Sequence, residues 1–184
     1  GSINRGHRVP DTLGAGWSGF LTSQGEIAVS SDAAYGGSNG VLLHDLLRDD
    51  IDSTSALILT IDLAGQQNVE LDFWWREFND ENHATDGVFI SDNLGGTWHE
   101  VLSFNNGPNK FRQERIHLDP YVSGNGLSFN DHFQIKFQFY DNHPYPNDGY
   151  AIDDISVLPY VPGDPTAPTP LITDAYENDD SCEE

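Results

Sequence analysis

Two neighbouring carboxylates interrupt an apolar, strand-forming run near the end of the chain. The run spans residues 149–157, and Asp153 and Asp154 lie inside it. Because side chains alternate across a strand, the two carboxylates must point to opposite faces, and one of them is expected on the side of Ile155 and Val157. A buried carboxylate needs compensation by a cation, by backbone N–H donors or by a position at the rim of the sheet.

Further oxygen donors lie in the loops that precede two of the expected strands. Asp32 precedes one strand, and Asp148 ends the acidic loop 141–148 before the last one. Calcium takes about six to eight hard oxygen ligands, which loops and strands can supply together without a fixed spacing. The sequence therefore predicts a structural calcium ion, with Asp32, Asp148, Asp153 and Asp154 as ligands. The alternative is solvated acid in an acid-rich chain.

Aromatic side chains on the predicted strand 69–76 suggest a second kind of site. Phe73 and Trp75 share one face of this strand, and Trp74 lies on the other. An outward-facing ring can stack on a sugar, so we predict that Trp74 and the loop residue Tyr145 bind a ligand. Packing in the core or between sheets is the alternative for such rings.

The sequence lacks the spacings of common catalytic motifs. The seven histidines show no H-E-x-x-H pattern, and neither a G-x-S-x-G nor a P-loop motif occurs. The single cysteine, Cys182, has no partner for a disulfide and lies near the end of the chain. We predict that the protein is not an enzyme.

The charge balance restricts the class of partner. The chain has 8 Lys and Arg against 30 Asp and Glu, which gives a formal net charge of -22. Such a field repels nucleic acid and anionic membranes, and it is compatible with cation binding or with solubility in a salty medium. No apolar stretch approaches the roughly 18 residues of a membrane span. Neither nucleic-acid binding nor membrane insertion is expected.

Alternating apolar residues indicate the fold class. They predict about nine or ten strands separated by turn signals, with the clearest alternation at residues 69–76 and 132–140. No amphipathic helix of ordinary length is visible, and residues 121–130 read as a loop. The predicted class is all-β, an antiparallel β-sandwich of two sheets.

One predicted hairpin carries a recognisable turn. Residues 91–98 fit S-x-D-x-G-x-T-W with Asn93 in the Asp place, which resembles the Asp-box hairpin of secreted β-proteins. The Asn side chain can bond the backbone of the turn, and the Trp can pack beneath it. We predict a structural role for this turn.

Composition divides the chain into four parts. Residues 1–16 read as an irregular lead-in, and residues 17–158 form the sandwich, with Trp17 and Phe20 expected as its first buried anchors. The proline-bearing residues 159–173 predict an extended linker. Residues 174–184 look like the start of a following module.

Three segments in order resemble one known group of modules. They are GGSNGVLL at residues 36–43, DGVFIS at residues 86–91 and DGYAIDDI at residues 148–155. Together they resemble the jelly-roll modules of the MAM and reelin-repeat type, over residues 17–158. The resemblance implies a non-catalytic jelly roll, often with structural calcium. It places the metal oxygens at the Gly-rich segment and the closing pair, hence at Asp32, Asp153 and Asp154.

The resemblance also implies a setting and a function. It implies an extracellular, secreted or cell-surface protein with other domains in the same chain, and adhesion to a glycan or an extracellular protein. The cysteines of animal members are missing here, which favours a bacterial source. The leading hypothesis is a calcium-stabilised adhesive or spacer module. The alternative is a carbohydrate-binding module attached to a glycan-degrading enzyme.

Overall fold

The computed structural model describes residues 13–45, 51–78, 81–142 and 148–160, together with the backbone of residues 172–173. Within these residues the chain forms strands in the order β1 (Trp17–Thr22), β2 (Gly25–Ser30), β3 (Gly40–Asp45), β4 (Ser53–Ile61), β5 (Val69–Glu77), β6 (Gly87–Ser91), β7 (His99–Ser103), β8 (Arg112–His117), β9 (Phe133–Asp141), β10 (Tyr150–Pro159) and β11 (Ile172–Thr173). One 3-10 turn (Ser31–Ala33) and one short helix, α1 (Asp119–Gly124), complete the described elements.

The strands form two antiparallel sheets, which confirms the predicted β-sandwich. The first sheet has the order β1-β4-β9-β6-β7, and the second has the order β2-β3-β10-β5-β8, with β11 paired to β10. β11 lies within residues 159–173, for which the sequence predicts a linker. Among the described residues, no helix is long and apolar enough to cross a membrane.

The helix α1 occupies part of the segment that the sequence predicts as a loop. Pro120 lies in its first turn, where a missing N–H leaves no intrahelical bond unmade. Val122 is the one buried residue of this short helix. A single buried residue leaves no apolar stripe that could be recognised in the sequence. The expectation of a loop over residues 121–130 was wrong for this turn of helix.

The core lies between the sheets and follows the predicted alternation of β5 and β9. Phe73 and Trp75 on β5 face Phe137 and its neighbours on β9, and the Phe73 and Phe137 rings meet edge-on with centroids 5.1 Å apart. Trp17 also belongs to this core, whereas 52% of Phe20 is exposed. The expectation that Phe20 is a buried anchor was wrong, because residues three apart on a strand lie on opposite faces.

A bulge in β10 separates the two carboxylates of the closing strand from the core. The pairing register between β10 and β5 shifts between Asp153 and Ser156, and Asp154 has a φ of 49°. As a result, both Ile152 and Ile155 belong to the core cluster, and the two residues between them do not. The expectation that one carboxylate of the pair points to the side of Ile155 was therefore wrong, because a regular alternation does not hold across a bulge.

The turn at residues 91–98 has the predicted structural role. Asn93 Oδ1 accepts hydrogen bonds from the Thr97 amide at 2.9 Å and from the Ser91 hydroxyl at 2.9 Å. Gly95 adopts a φ of 79°, and a Cβ at this position would lie 3.0 Å from the Trp98 ring. The turn therefore lies directly on Trp98, which it holds in place.

Candidate functional site

Asp153 is buried on the outer side of β10, under the segment between β2 and β3. It is 1% exposed and pairs across the sheet with Trp74. Its Oδ2 accepts hydrogen bonds from the Tyr35 and Gly36 amides, at 2.5 and 3.0 Å, and its Oδ1 accepts one from the Asp154 amide at 2.9 Å. Backbone N–H donors thus compensate this carboxylate. The sequence left this possibility open beside a cation and a position at the rim of the sheet.

The other predicted metal ligands are distributed over two places. Asp154 is exposed at the bulge, with its carboxylate above Gly36. Asp32 is exposed in the 3-10 turn, where its carbonyl accepts a hydrogen bond from Arg76 Nη2 at 2.6 Å. Asp148 lies with Glu81 and Asp141 instead. Calcium ligation by Asp32, Asp148, Asp153 and Asp154 as a set stays a prediction.

Three carboxylates, Glu81, Asp141 and Asp148, form a cluster that we call the acidic centre. One carboxylate oxygen from each lies within 4.8 Å of the others. Asp141 ends β9 and Asp148 precedes β10, so the centre joins the two sheets at one end of the sandwich. Burial, followed by the charges of Asp141, Glu81 and Asp45, raises the pKa of Asp148 to about 7. The structure therefore contains an acidic triad suited to a metal ion.

A fourth buried carboxylate at this end, Asp86, has partners of its own. Its Oδ1 accepts a hydrogen bond from the Tyr140 amide at 2.7 Å, and its Oδ2 lies 3.4 Å from both the Tyr150 hydroxyl and His83 Nδ1. Burial raises the pKa of Asp86 to about 7, although the contacts with Tyr140, His83 and Tyr150 lower it. Asp86 thus has a structural role in joining β9, β10 and the segment before β6.

The outer face of the second sheet carries Trp74, but its ring is covered. Tyr35 stacks on Trp74 with ring centroids 3.6 Å apart and an angle of 10° between the planes. Tyr35 is itself 47% exposed, so it presents the outermost ring of this stack. The prediction for Trp74 as a ligand-binding residue stays open, and that for Tyr145 lies outside the described residues.

The outer face of the first sheet combines an exposed aromatic ring with amide side chains. We call it the glutamine face, and we define it by Phe20, Gln134, Gln138 and Tyr140. Pairing places Phe20 opposite Ala56, Ala56 opposite Gln138, and Gln138 opposite Gly87, in one row across four strands. Phe20 and Gln138 are the only long side chains in this row.

Hydrogen bonds fix the two glutamines of this face. Gln134 Nε2 donates to Thr60 Oγ1 at 3.0 Å, and Gln138 Nε2 donates to the Thr85 carbonyl at 2.7 Å. Gln138 Oε1 accepts a hydrogen bond from Lys136 Nζ at 2.8 Å. The amides are therefore held in defined orientations before any ligand arrives.

Lys136 lies beneath two aromatic rings on the same face. Its Nζ is 4.7 Å from the centre of the Phe89 ring and 4.4 Å from that of Trp98. Burial lowers the pKa of Lys136 to about 8, while the rings and Gln138 attract the charged form. The ammonium thus connects β9 to β6 and to the turn before β7.

Comparison with known proteins gives a fold and no family. No protein-family model and no curated protein matches the chain. Among solved structures, the fold is similar to that of the carbohydrate-binding module TmCBM61 in complex with beta-1,4-galactotriose, with a TM-score of 0.50, 14% identity, and coverage of 80% of this chain and 91% of that one. At this identity the similarity shows a shared β-sandwich fold.

Two further solved structures have lower scores. One is the CBM22-1 xylan-binding domain of Paenibacillus barcinonensis Xyn10C, at a TM-score of 0.48 and 12% identity over 80% of this chain and 87% of that one. The other is the family 11 carbohydrate-binding module of Clostridium thermocellum Lic26A-Cel5E. It has a TM-score of 0.47 and 11% identity, with coverage of 76% of this chain and 85% of that one. The specific resemblance to MAM and reelin-repeat modules finds no counterpart among these structures and stays a prediction.

Sequence reasoning missed most of the residues that the structure brings together. Glu81 lies in the polar segment between β5 and β6, and Asp141 ends β9, but their distance from Asp148 depends on the topology of the two sheets. Phe20 was available from the alternation of β1, because Trp17 and Leu21 take the inner face. The alternation of β9 alone predicts that Gln134 and Gln138 lie on the same face of the sheet.

Proposed function

We propose that this chain is a non-catalytic glycan-binding module whose binding surface is the glutamine face. The observation that carries the proposal is the ring of Phe20, which is 52% exposed on a strand whose Trp17 is buried in the core. The exposed part of this ring lies on an ordered sheet face, where a ligand can reach it. The similarity in fold to a carbohydrate-binding module supports the same proposal.

The chemistry of the face suits a sugar. A pyranose ring has an apolar face that packs on an aromatic ring and hydroxyl groups that hydrogen-bond to amides. Phe20 supplies the first contact, and Gln134, Gln138 and Tyr140 supply partners for the second. Ala56 lies between Phe20 and Gln138 in the row, so these two side chains flank a residue with a short side chain.

The ligand class follows from the charge and from the similar structure. The net charge of -22 disfavours acidic polysaccharides, so the glycan is expected to be neutral. TmCBM61 was solved with beta-1,4-galactotriose, which makes neutral β-linked oligosaccharides the first class to screen. As a module in a longer extracellular chain, this domain would hold a neighbouring domain close to such a polymer.

The test is a glycan screen followed by titration of the best neutral oligosaccharide. Phe20→Ala is expected to weaken binding by about 10-fold, equivalent to about 1.4 kcal/mol, with little change in stability. Leu94→Ala is the matched control, because Leu94 is 63% exposed on the turn away from the row. Unchanged affinity in Phe20→Ala would remove the glutamine face from the proposal.

The Tyr35–Trp74 stack is the competing surface, and the same titration includes it. Trp74→Ala and Tyr35→Ala are expected to retain binding. If they lose it while Phe20→Ala does not, the second sheet carries the ligand, as the sequence predicted for Trp74. A screen without hits would favour the alternative, adhesion to an extracellular protein, for which the resemblance to MAM-type modules is the support. A structural calcium ion is compatible with either proposal.

A further inference from the structure

The geometry points to a divalent-cation site at the acidic centre, where Glu81, Asp141 and Asp148 bind one calcium ion. This site differs from the set predicted from the sequence, with which it shares only Asp148. It does not depend on the glycan proposal, because it lies at the end of the sandwich rather than on a sheet face.

The spacing of the oxygens fits one ion. Calcium binds oxygen at about 2.3–2.6 Å, so ligands on opposite sides of the ion are about 4.6–5.2 Å apart. In the acidic centre, one oxygen of each carboxylate lies within 4.8 Å of the other two. A single ion can therefore contact all three, and bidentate binding, backbone carbonyls or water can complete its shell.

The second observation is that buried carboxylate oxygens in the centre have no partner. Asp148 is 5% exposed, and its Oδ2 is buried without a hydrogen bond. Both carboxylate oxygens of Glu81 are also buried without a hydrogen bond. Buried polar atoms are nearly always satisfied in folded proteins, so unsatisfied carboxylate oxygens within one cluster indicate a missing positive partner.

The ion pairs of the described residues leave Glu81 and Asp148 without a cation. The three carboxylates lie close enough to repel one another when ionised. A bound divalent ion would reverse this repulsion and favour the ionised form of all three.

The donor set selects calcium over other metals. All three ligands are carboxylates, which suit hard cations and do not favour zinc. Magnesium requires shorter, near-octahedral contacts at about 2.0–2.1 Å and keeps most of its water, whereas calcium accepts irregular sets of buried oxygens. Asp148 also lines a surface cavity of about 370 Å³ together with His44 and Phe78, so one of the three carboxylates borders space that solvent can reach.

The test compares stability in calcium and in chelator for matched variants. The protein is stripped with a chelator, its metal content is checked by elemental analysis, and its Tm is measured with EDTA, calcium or magnesium at constant ionic strength. Calcium should raise the Tm of the wild type, and more so than magnesium. Asp148→Asn should weaken calcium binding at least 10-fold, and Glu81→Gln should do the same if Asp148→Asn fails to fold.

The signs of the effects separate a metal ligand from a residue of purely structural role. In EDTA, Asp148→Asn should be at least as stable as the wild type, because it removes a buried charge among like charges. In calcium, it should be less stable than the wild type. Asp131→Asn, which neutralises an exposed carboxylate, should keep the full calcium response.

Two outcomes would overturn the site. The first is a wild-type protein that contains no metal as purified and shows no calcium-dependent rise in Tm. The second is an Asp148→Asn protein that responds to calcium like the wild type, above all if Asp153→Asn loses the response instead. Neither outcome bears on glycan binding, which the Phe20 titration tests separately.

Discussion

Asp153 shows that one residue type in one pattern can have several physical explanations. A buried carboxylate next to another in a strand suggested a metal, yet three backbone amides satisfy it. Two of the three donors are the Tyr35 and Gly36 amides, which are more than a hundred residues away along the chain. No local signal in the sequence reveals such a contact, so the choice between cation and amides depended on the fold.

We predict that Asp153 is needed for stability. Asp153→Ala leaves three amide donors without this acceptor, so it should lower the free energy of unfolding by about 2–4 kcal/mol. Urea unfolding measures the change. The control is Asp62→Ala, which removes one exposed contact to the Ala64 amide and should lower it by under about 1 kcal/mol. Equal effects of the two substitutions would show that the Asp153 contacts are not structural.

At the scale of elements, alternation predicted the strands but not their irregularities. The periods of β5 and β9 placed Phe73, Trp75 and Phe137 in the core correctly. The bulge at Asp154 adds one residue to β10, so the faces of Asp153 and Ile155 could not be deduced by counting. Pairing partners of strands distant in the sequence, such as β4 with β9, also had no local signal, and they determine the glutamine face.

We predict a pH-dependent contribution from Lys136 on the central strand β9. Its pKa is lowered from 10.5 to about 8, so between these values the unfolded chain binds more protons than the folded one. The free energy of unfolding should therefore rise with pH in this window, and the penalty of the buried ammonium is complete below pH 8. Relative to Lys136→Met, the wild type should gain about 1–3 kcal/mol from pH 8 to pH 10.5.

Urea unfolding of both proteins across this pH range measures the difference between their free energies of unfolding. Because the other titrating groups are the same in both proteins, their contributions cancel in this difference. Lys110→Met, which removes an exposed ammonium, corrects for the lost positive charge. A difference between wild type and Lys136→Met that stays constant with pH would show that the aromatic rings and Gln138 keep the ammonium fully charged.

On the scale of the whole molecule, the proposed glycan surface and the proposed metal site occupy different parts of the sandwich. The glutamine face lies on the first sheet, and the acidic centre lies at one end of both. Composition indicated an acidic protein, compatible with cation binding or with solubility in a salty medium, but the position of the acids depended on how segments from both sheets meet. Residues far apart in the chain, such as Glu81 and Asp148, become neighbours only there.

The net charge leads to a prediction for the whole molecule that also bears on the calcium test. With a charge of -22, the folded chain repels itself, and dissolved salt screens this repulsion over about 10 Å at 0.1 M. The Tm in EDTA should rise by about 2–4 °C between about 10 mM and 500 mM sodium chloride, equivalent to about 1 kcal/mol. Differential scanning calorimetry measures this rise. A flat or falling Tm would mean that the charges are spread too widely to repel one another, and screening could then be excluded as the cause of any stabilisation by calcium.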